Sequence, residues 1–192
     1  MVRAIIFDYY NVLKFDSFPA FATARGLDYS SADFMAICNK IDTGQIDRAE
    51  FLRQVAELWC VNLVDLYDIE DQVAPNRELL DYIESALLGK YKLAILSNIA
   101  PSDSLSFALT DDELKMFDAF GLSCQTGFVK PQREAYLDIV KKLNVAPAEC
   151  VFIDDRVKHG VVAEKIGMKF VHYQNFAQFR TNLEKILECK SA

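Results

Sequence analysis

Four short apolar runs, Ala4-Ile5-Ile6-Phe7, Leu93-Ala94-Ile95-Leu96, Cys150-Val151-Phe152-Ile153 and, more weakly, Lys169-Phe170-Val171-His172-Tyr173, are separated by stretches of helical periodicity. Each run is too short for a buried helix and fits a strand covered on both faces. Helices are expected over residues 78–88, 134–143, 160–166 and 176–187. Strands that alternate with helices imply right-handed βαβ units and hence an α/β protein with a parallel sheet.

The alternation fails in one interval. Residues 14–76 offer helical stretches at 17–25, 31–40, 48–59 and 63–70 but no strand. There Asp42-Thr43-Gly44-Gln45 reads as a turn, Asp47 is placed to cap the third stretch, and Phe51, Val55, Leu58 and Trp59 share one apolar face of it. The expected organisation is a core made of residues 1–13 and 77–192, with residues 14–76 inserted as a helical unit. A chain of 192 residues with 52% hydrophobic letters has material for such a core without staples. The five cysteines, Cys38, Cys60, Cys124, Cys150 and Cys189, are odd in number and never spaced CxxC, so packed, reduced thiols are expected. A formal net charge of −7 argues against general affinity for nucleic acid or anionic membranes. With no apolar stretch of about 20 residues and no signal-like N-terminus, a cytoplasmic protein is expected.

Function is sought at strand ends, because open α/β sheets bind ligands outside the carboxyl ends of their strands. Asp8 follows the first run, Ser97-Asn98 the second and Asp154-Asp155 the third. A lone Asp there is commonly a turn or cap residue, but together these would gather three carboxylates and a hydroxyl at one sheet edge. Such a cluster repels itself unless a cation neutralises it, and an all-oxygen donor set suits magnesium. Lys130, in Gly127-Phe128-Val129-Lys130-Pro131 before the helix at 134–143, is available as a counter-charge.

Phe7-Asp8-Tyr9-Tyr10-Asn11-Val12-Leu13, Leu96-Ser97-Asn98, Val129-Lys130-Pro131 and Phe152-Ile153-Asp154-Asp155 resemble, in order, the four motifs of the haloacid dehalogenase-like (HAD) hydrolase superfamily. Gly44-Gln45-Ile46 and Gly167-Met168 are similar to the subgroup with a helical cap between the first two motifs. The resemblance implies a doubly wound, Rossmann-like parallel sheet with an inserted α-helical cap. It further implies that Asp8 is the nucleophile of a covalent aspartyl intermediate and that Ser97, Asn98 and Lys130 bind the transferring group. Asp8, the backbone carbonyl of Tyr10, Asp155 and, less directly, Asp154 would hold Mg2+. The implied partner is a small, phosphorylated molecule.

Two positions depart from the pattern. Phosphatases of the family carry a general-acid Asp two residues after the nucleophile, and here that residue is Tyr10. A phenol with an ordinary pKa near ~10 is a poor proton relay at neutral pH, which weakens or alters phosphatase turnover. Tyr10 resembles the haloacid dehalogenases instead, whose halide leaves unaided, whereas the pair Asp154-Asp155 resembles the metal-binding phosphatases. His159 stands where the family often has Asn or Asp, either facing solvent at a helix start or accepting a hydrogen bond from Lys130. Three readings follow: a magnesium-dependent phosphatase, a haloacid dehalogenase-like hydrolase, and a phosphate-binding or regulatory protein with weak or no catalysis.

Overall fold

The structure is a computed structural model that describes residues 1–15, 17–70, 74–99 and 105–188. Cys189 lies outside the described residues. Along the chain the first strand, β1 (Ala4–Phe7), is followed by four helices: α1 (Ser17–Ala24), α2 (Ala32–Asp42), α3 (Arg48–Trp59) and α4 (Leu63–Glu70). Then come α5 (Arg77–Tyr82), continued by a π-turn at Ile83–Leu87, and β2 (Lys92–Ser97). Two short helices, α6 (Asp111–Leu114) and α7 (Ser123–Thr126), flank β3 (Ala119–Leu122). The chain ends in α8 (Arg133–Leu143), β4 (Cys150–Asp154), α9 (Val157–Lys165), β5 (Lys169–His172) and α10 (Phe176–Glu188).

The five strands form one parallel sheet in the order β3-β2-β1-β4-β5. Strand periodicity sends alternate residues to opposite faces. Ile5, Phe7, Leu93, Ile95, Val151 and Ile153 meet α5, the π-turn that follows it and α10 through Leu79, Ile83, Phe179 and Leu183. Ala4, Ile6, Ala94, Leu96 and Phe152 meet α8 and α9 through Tyr136, Ile139, Leu143 and Ala163. Both faces are therefore dry, which is why these strands read as unbroken apolar runs.

β3 is an element the apolar runs did not reveal. Ala119-Phe120-Gly121-Leu122 is four residues long with no β-branched side chain, so its strand character comes from pairing on β2 and from Asp118, whose Oδ2 accepts the Leu93 amide at 2.8 Å. Helix α9 begins at Val157, three residues before the periodicity placed it, because Gly160 sits inside it. A Cβ on Gly160 would lie 2.2–2.4 Å from the Phe170 ring, so glycine lets α9 lie directly on β5.

The four helices between β1 and α5 build their own apolar cluster around Phe18, Phe34, Phe51, Leu52, Val55 and Trp59. Phe34 and Trp59 stack with centroids 4.8 Å apart. Asp47 caps α3 by accepting the Glu50 amide at 2.8 Å, and Ser31 caps α2 through the Phe34 amide. The segment leaves and re-enters the sheet domain at one place. Phe15 N donates to Ala74 O, Asn76 N to Leu13 O, and the buried Asn76 side chain to both Val12 O and the Tyr173 hydroxyl.

Candidate active site

β1, β2 and β4 are neighbours and parallel, so their carboxyl ends deliver Asp8, Ser97-Asn98 and Asp154-Asp155 to one edge. Lys130 reaches the same edge from the loop before α8. Its ammonium lies 2.7 Å from Asp8 Oδ1 and 2.8 Å from Asp154 Oδ2, with all three side chains buried. Asn98 holds the lysine's backbone at both ends: its Oδ1 accepts the Lys130 amide at 2.7 Å and its Nδ2 donates to the Lys130 carbonyl at 3.0 Å. Asp8 Oδ1 also accepts the Tyr9 amide at 2.7 Å.

The two acids of the fourth motif have different surroundings. Asp154 is fully buried, and both of its oxygens are engaged by Lys130, by His159 Nδ1 at 2.9–3.0 Å, and by the Arg156 amide at 2.8 Å. Asp155 accepts from Asn11 Nδ2 at 3.2 Å, and its backbone carbonyl accepts from His172 Nε2 at 2.9 Å. Burial by itself would raise the Asp154 pKa, but Lys130 and His159 overcome it and hold the carboxyl well below its usual range. Asp155 is raised, by burial first and by Asp154 second. Asp8 is raised well above its usual value by burial and by Asp154, against the opposing pull of Lys130. His159 is lowered chiefly by burial. Facing a carboxylate, the neutral imidazole carries its proton on Nδ1.

His159 is thus buried and donates to Asp154; it neither faces solvent nor accepts from Lys130. Asn11, at φ 58°, is in the left-handed region that Asn tolerates, and this conformation turns the β1 loop past Asp155. Tyr10 packs edge-on against Tyr9, and the Lys14 ammonium stands 4.9 Å from the Tyr10 ring centroid. Ser97 is buried, with its hydroxyl 3.4 Å from the Asn98 carbonyl, and it is Asn98 that lines the cavity. That cavity, about 130 Å³, is walled by Asp8, Tyr10, Asn98, Lys130 and Asp155 on the sheet side and by Phe18, Ile41, Arg48 and Phe51 of the helical segment. Lys14, Asn11 and Arg156 also line it. Sequence reasoning passed over these three, because only the position of Asn11 in the first motif and of Arg156 directly after Asp154-Asp155 hinted at the site.

Asp8, Asp154 and His159 bring ligand-type atoms within 4.8 Å of one another. The Lys130 ammonium already bonds both carboxylates, however, so that space holds a cation. The oxygen donors that would suit a hard divalent ion are those of Asp8 and Asp155, whose carboxyls are both raised chiefly by burial and by the neighbouring Asp154.

The fold is a doubly wound, Rossmann-like α/β sheet with a lysine bridging two carboxylates at its carboxyl edge. Residues 2–166 match the haloacid dehalogenase-like hydrolase family, and the chain belongs to it. A sesquiterpene phosphatase of Aspergillus oryzae is 25% identical over 95 residues, 50% of this chain and 48% of its own, so the match spans about half of that relative. A D-ribitol-5-phosphate phosphatase of Bacteroides thetaiotaomicron is 26% identical over 205 aligned positions, covering 97% of this chain and 99% of that protein. A HAD-family enzyme from the same bacterium, crystallised as an alanine variant with magnesium and inorganic phosphate, shares the fold at a TM-score of 0.67 and 19% identity, over 91% of this chain and 95% of that one.

Proposed function

We propose that the protein is a magnesium-dependent phosphatase of small phosphorylated molecules, acting through an aspartyl-phosphate on Asp8. The observation that carries this reading is the division of labour between the two acids after β4. Asp154 is consumed in holding Lys130, while Asp155 remains beside Asp8 with its pKa raised by burial and by the neighbouring Asp154 carboxylate. Among the described residues, the cavity is lined by the cations Lys14, Arg48, Lys130 and Arg156 and by the carboxylates of Asp8, Asp42 and Asp155, a mixed lining that suits a divalent ion together with a phosphate ester dianion. The phosphatase relatives and the magnesium and phosphate bound by a neighbour of the same fold agree with this reading.

In the proposed reaction Lys130 and the Tyr9 amide hold Asp8 Oδ1, so Oδ2 attacks phosphorus while the ester P–O bond breaks and the leaving oxygen departs with the electron pair. Lys130 balances charge on the transferring phosphoryl group, and Asn98 keeps Lys130 in place. His159 fixes Asp154, which in turn orients Lys130. Magnesium, held by Asp8, the Tyr10 carbonyl and Asp155, would supply further charge neutralisation to the phosphoryl oxygens. Water then attacks phosphorus of the aspartyl-phosphate, releasing phosphate and regenerating Asp8. Because Tyr10 replaces the acid that would protonate the leaving group, esters with stabilised leaving anions are the favoured substrates.

Tyr10 is also the one observation that favours a haloacid dehalogenase-like reaction, in which carbon is the electrophile and no leaving-group acid is required. Steady-state assays of purified protein on aryl phosphates and 2-haloacids, each with magnesium and with chelator, separate the readings. Magnesium-dependent aryl phosphate hydrolysis that Asp8→Asn abolishes is expected. Metal-independent halide release would replace it with the dehalogenase reading, and no turnover of either class would leave the binding-protein reading.

A further inference from the structure

A second cavity of about 520 Å³ adjoins the first and shares Asn11, Phe18, Cys38, Phe51, Asp155 and Arg156 with it. Its wall is divided by chemistry. The sheet domain contributes polar and charged side chains, Asn11, Asp155, Arg156 and Lys158. The helical segment contributes Phe18 from α1, Phe34, Met35 and Cys38 from α2, and Phe51 from α3, and among the described residues adds only two hydroxyls, those of Tyr29 and Ser30. The polar end of this space adjoins the cavity that holds Asp8 and Lys130 through the shared residues Asn11, Asp155 and Arg156, and the rest of it lies largely against apolar side chains. Sites that take small polar molecules surround them with hydrogen-bonding groups, whereas apolar lining fixes an apolar body and leaves orientation to a few polar contacts.

From this division we infer that the leaving group of the substrate is an extended apolar body: the protein acts on amphiphilic phosphate monoesters, with the phosphoryl group at Asp8 and the tail lying between α1, α2 and the Asp155–Lys158 turn. The inference rests on the phosphatase reading and narrows it from phosphorylated metabolites in general to hydrophobic ones.

The test is a series of para-n-alkylphenyl phosphates, in which the phenol leaving group changes little in acidity while the tail lengthens. With magnesium, kcat/KM is expected to rise roughly threefold to fourfold per methylene, the transfer value for a fully buried CH2, through KM and until the groove is filled. Met35→Ser is expected to flatten that slope. Isothermal calorimetry with the same esters on Asp8→Asn protein reads the affinity slope whether or not turnover occurs. A steep affinity slope without hydrolysis in the wild type would overturn the phosphatase reading and keep the groove assignment. Flat slopes in both measurements, or a wild-type slope unchanged in Met35→Ser, would overturn the groove assignment.

Discussion

Tyr10 decides how the proposed chemistry runs. Its side chain lines the cavity beside Asp8, rests on Tyr9 and lies under the Lys14 ammonium, so it is held where a family phosphatase would keep its general acid. Restoring a carboxyl with Tyr10→Asp should raise kcat/KM on alkyl phosphates by up to roughly 10²-fold, at the low end of general-acid contributions, with a much smaller gain on aryl phosphates. Steady-state kinetics on matched alkyl and aryl esters measures this, and equal gains on both would remove leaving-group protonation as the explanation. That Asp8, Lys130 and the pair Asp154-Asp155 share one sheet edge was legible in the sequence, because each directly follows an apolar run or sits in a motif. Asp154's commitment to Lys130 and His159 was not, since adjacent carboxylates in a sequence look alike until their partners are known. His159 was equally ambiguous. It lies five positions after Asp154, and only the turn into α9 brings its ring back onto that carboxylate.

At the scale of elements, the strands that stood out most clearly in the sequence were those buried on both faces, whereas β5, an edge strand only partly buried, gave a weaker run. β3 escaped because an edge strand of four residues containing Gly121 has neither length nor β-branching. Gly121 is itself constrained: a Cβ there would lie 2.8 Å from Leu96 Cδ1. Gly160 is the sharper case, since the interior of a helix normally disfavours glycine and only close approach to another element accounts for it. Gly160→Ala should therefore destabilise the fold by about 1–3 kcal/mol through overpacking against Phe170, despite alanine's better helix propensity. Urea denaturation checks the sign, and an unchanged or higher midpoint would mean that α9 can move off β5 without cost. The helical stretches between β1 and α5 were readable for a simpler reason. α3 and α4 begin and end where periodicity placed them, and Asp47 caps α3 as expected from its position before an apolar face.

Across the whole molecule, the clasp formed by Leu13, Phe15, Ala74 and Asn76 brings the helical segment back to the carboxyl edge of the sheet. Residues from both parts therefore wall the cavity, and Phe18, Arg48 and Phe51 face the same space as Asp8 and Asp155. The sequence marked residues 14–76 as helical and strandless but not which of their side chains turn toward the sheet, because that depends on how α1, α2 and α3 pack on one another. If magnesium is held between Asp8 and Asp155, it must also stabilise the folded chain by mass action, by about 2.7 kcal/mol at a hundredfold excess over its Kd. Thermal unfolding with and without magnesium should show a rise in Tm that Asp155→Asn loses or reduces. Equal shifts in the two proteins would place the ion elsewhere.

All three scales meet in the proposed covalent chemistry at Asp8. Without a carboxylate at position 10 to activate water, the aspartyl-phosphate should break down slowly and accumulate during turnover. Acid-quenched mass spectrometry of the protein, mixed with magnesium and an aryl phosphate, reads this directly. The expected result is one phosphoryl group on the peptide that contains Asp8, absent when magnesium is chelated. Hydrolysis that proceeds at a measurable rate while Asp8 is never modified would contradict nucleophilic catalysis by this residue.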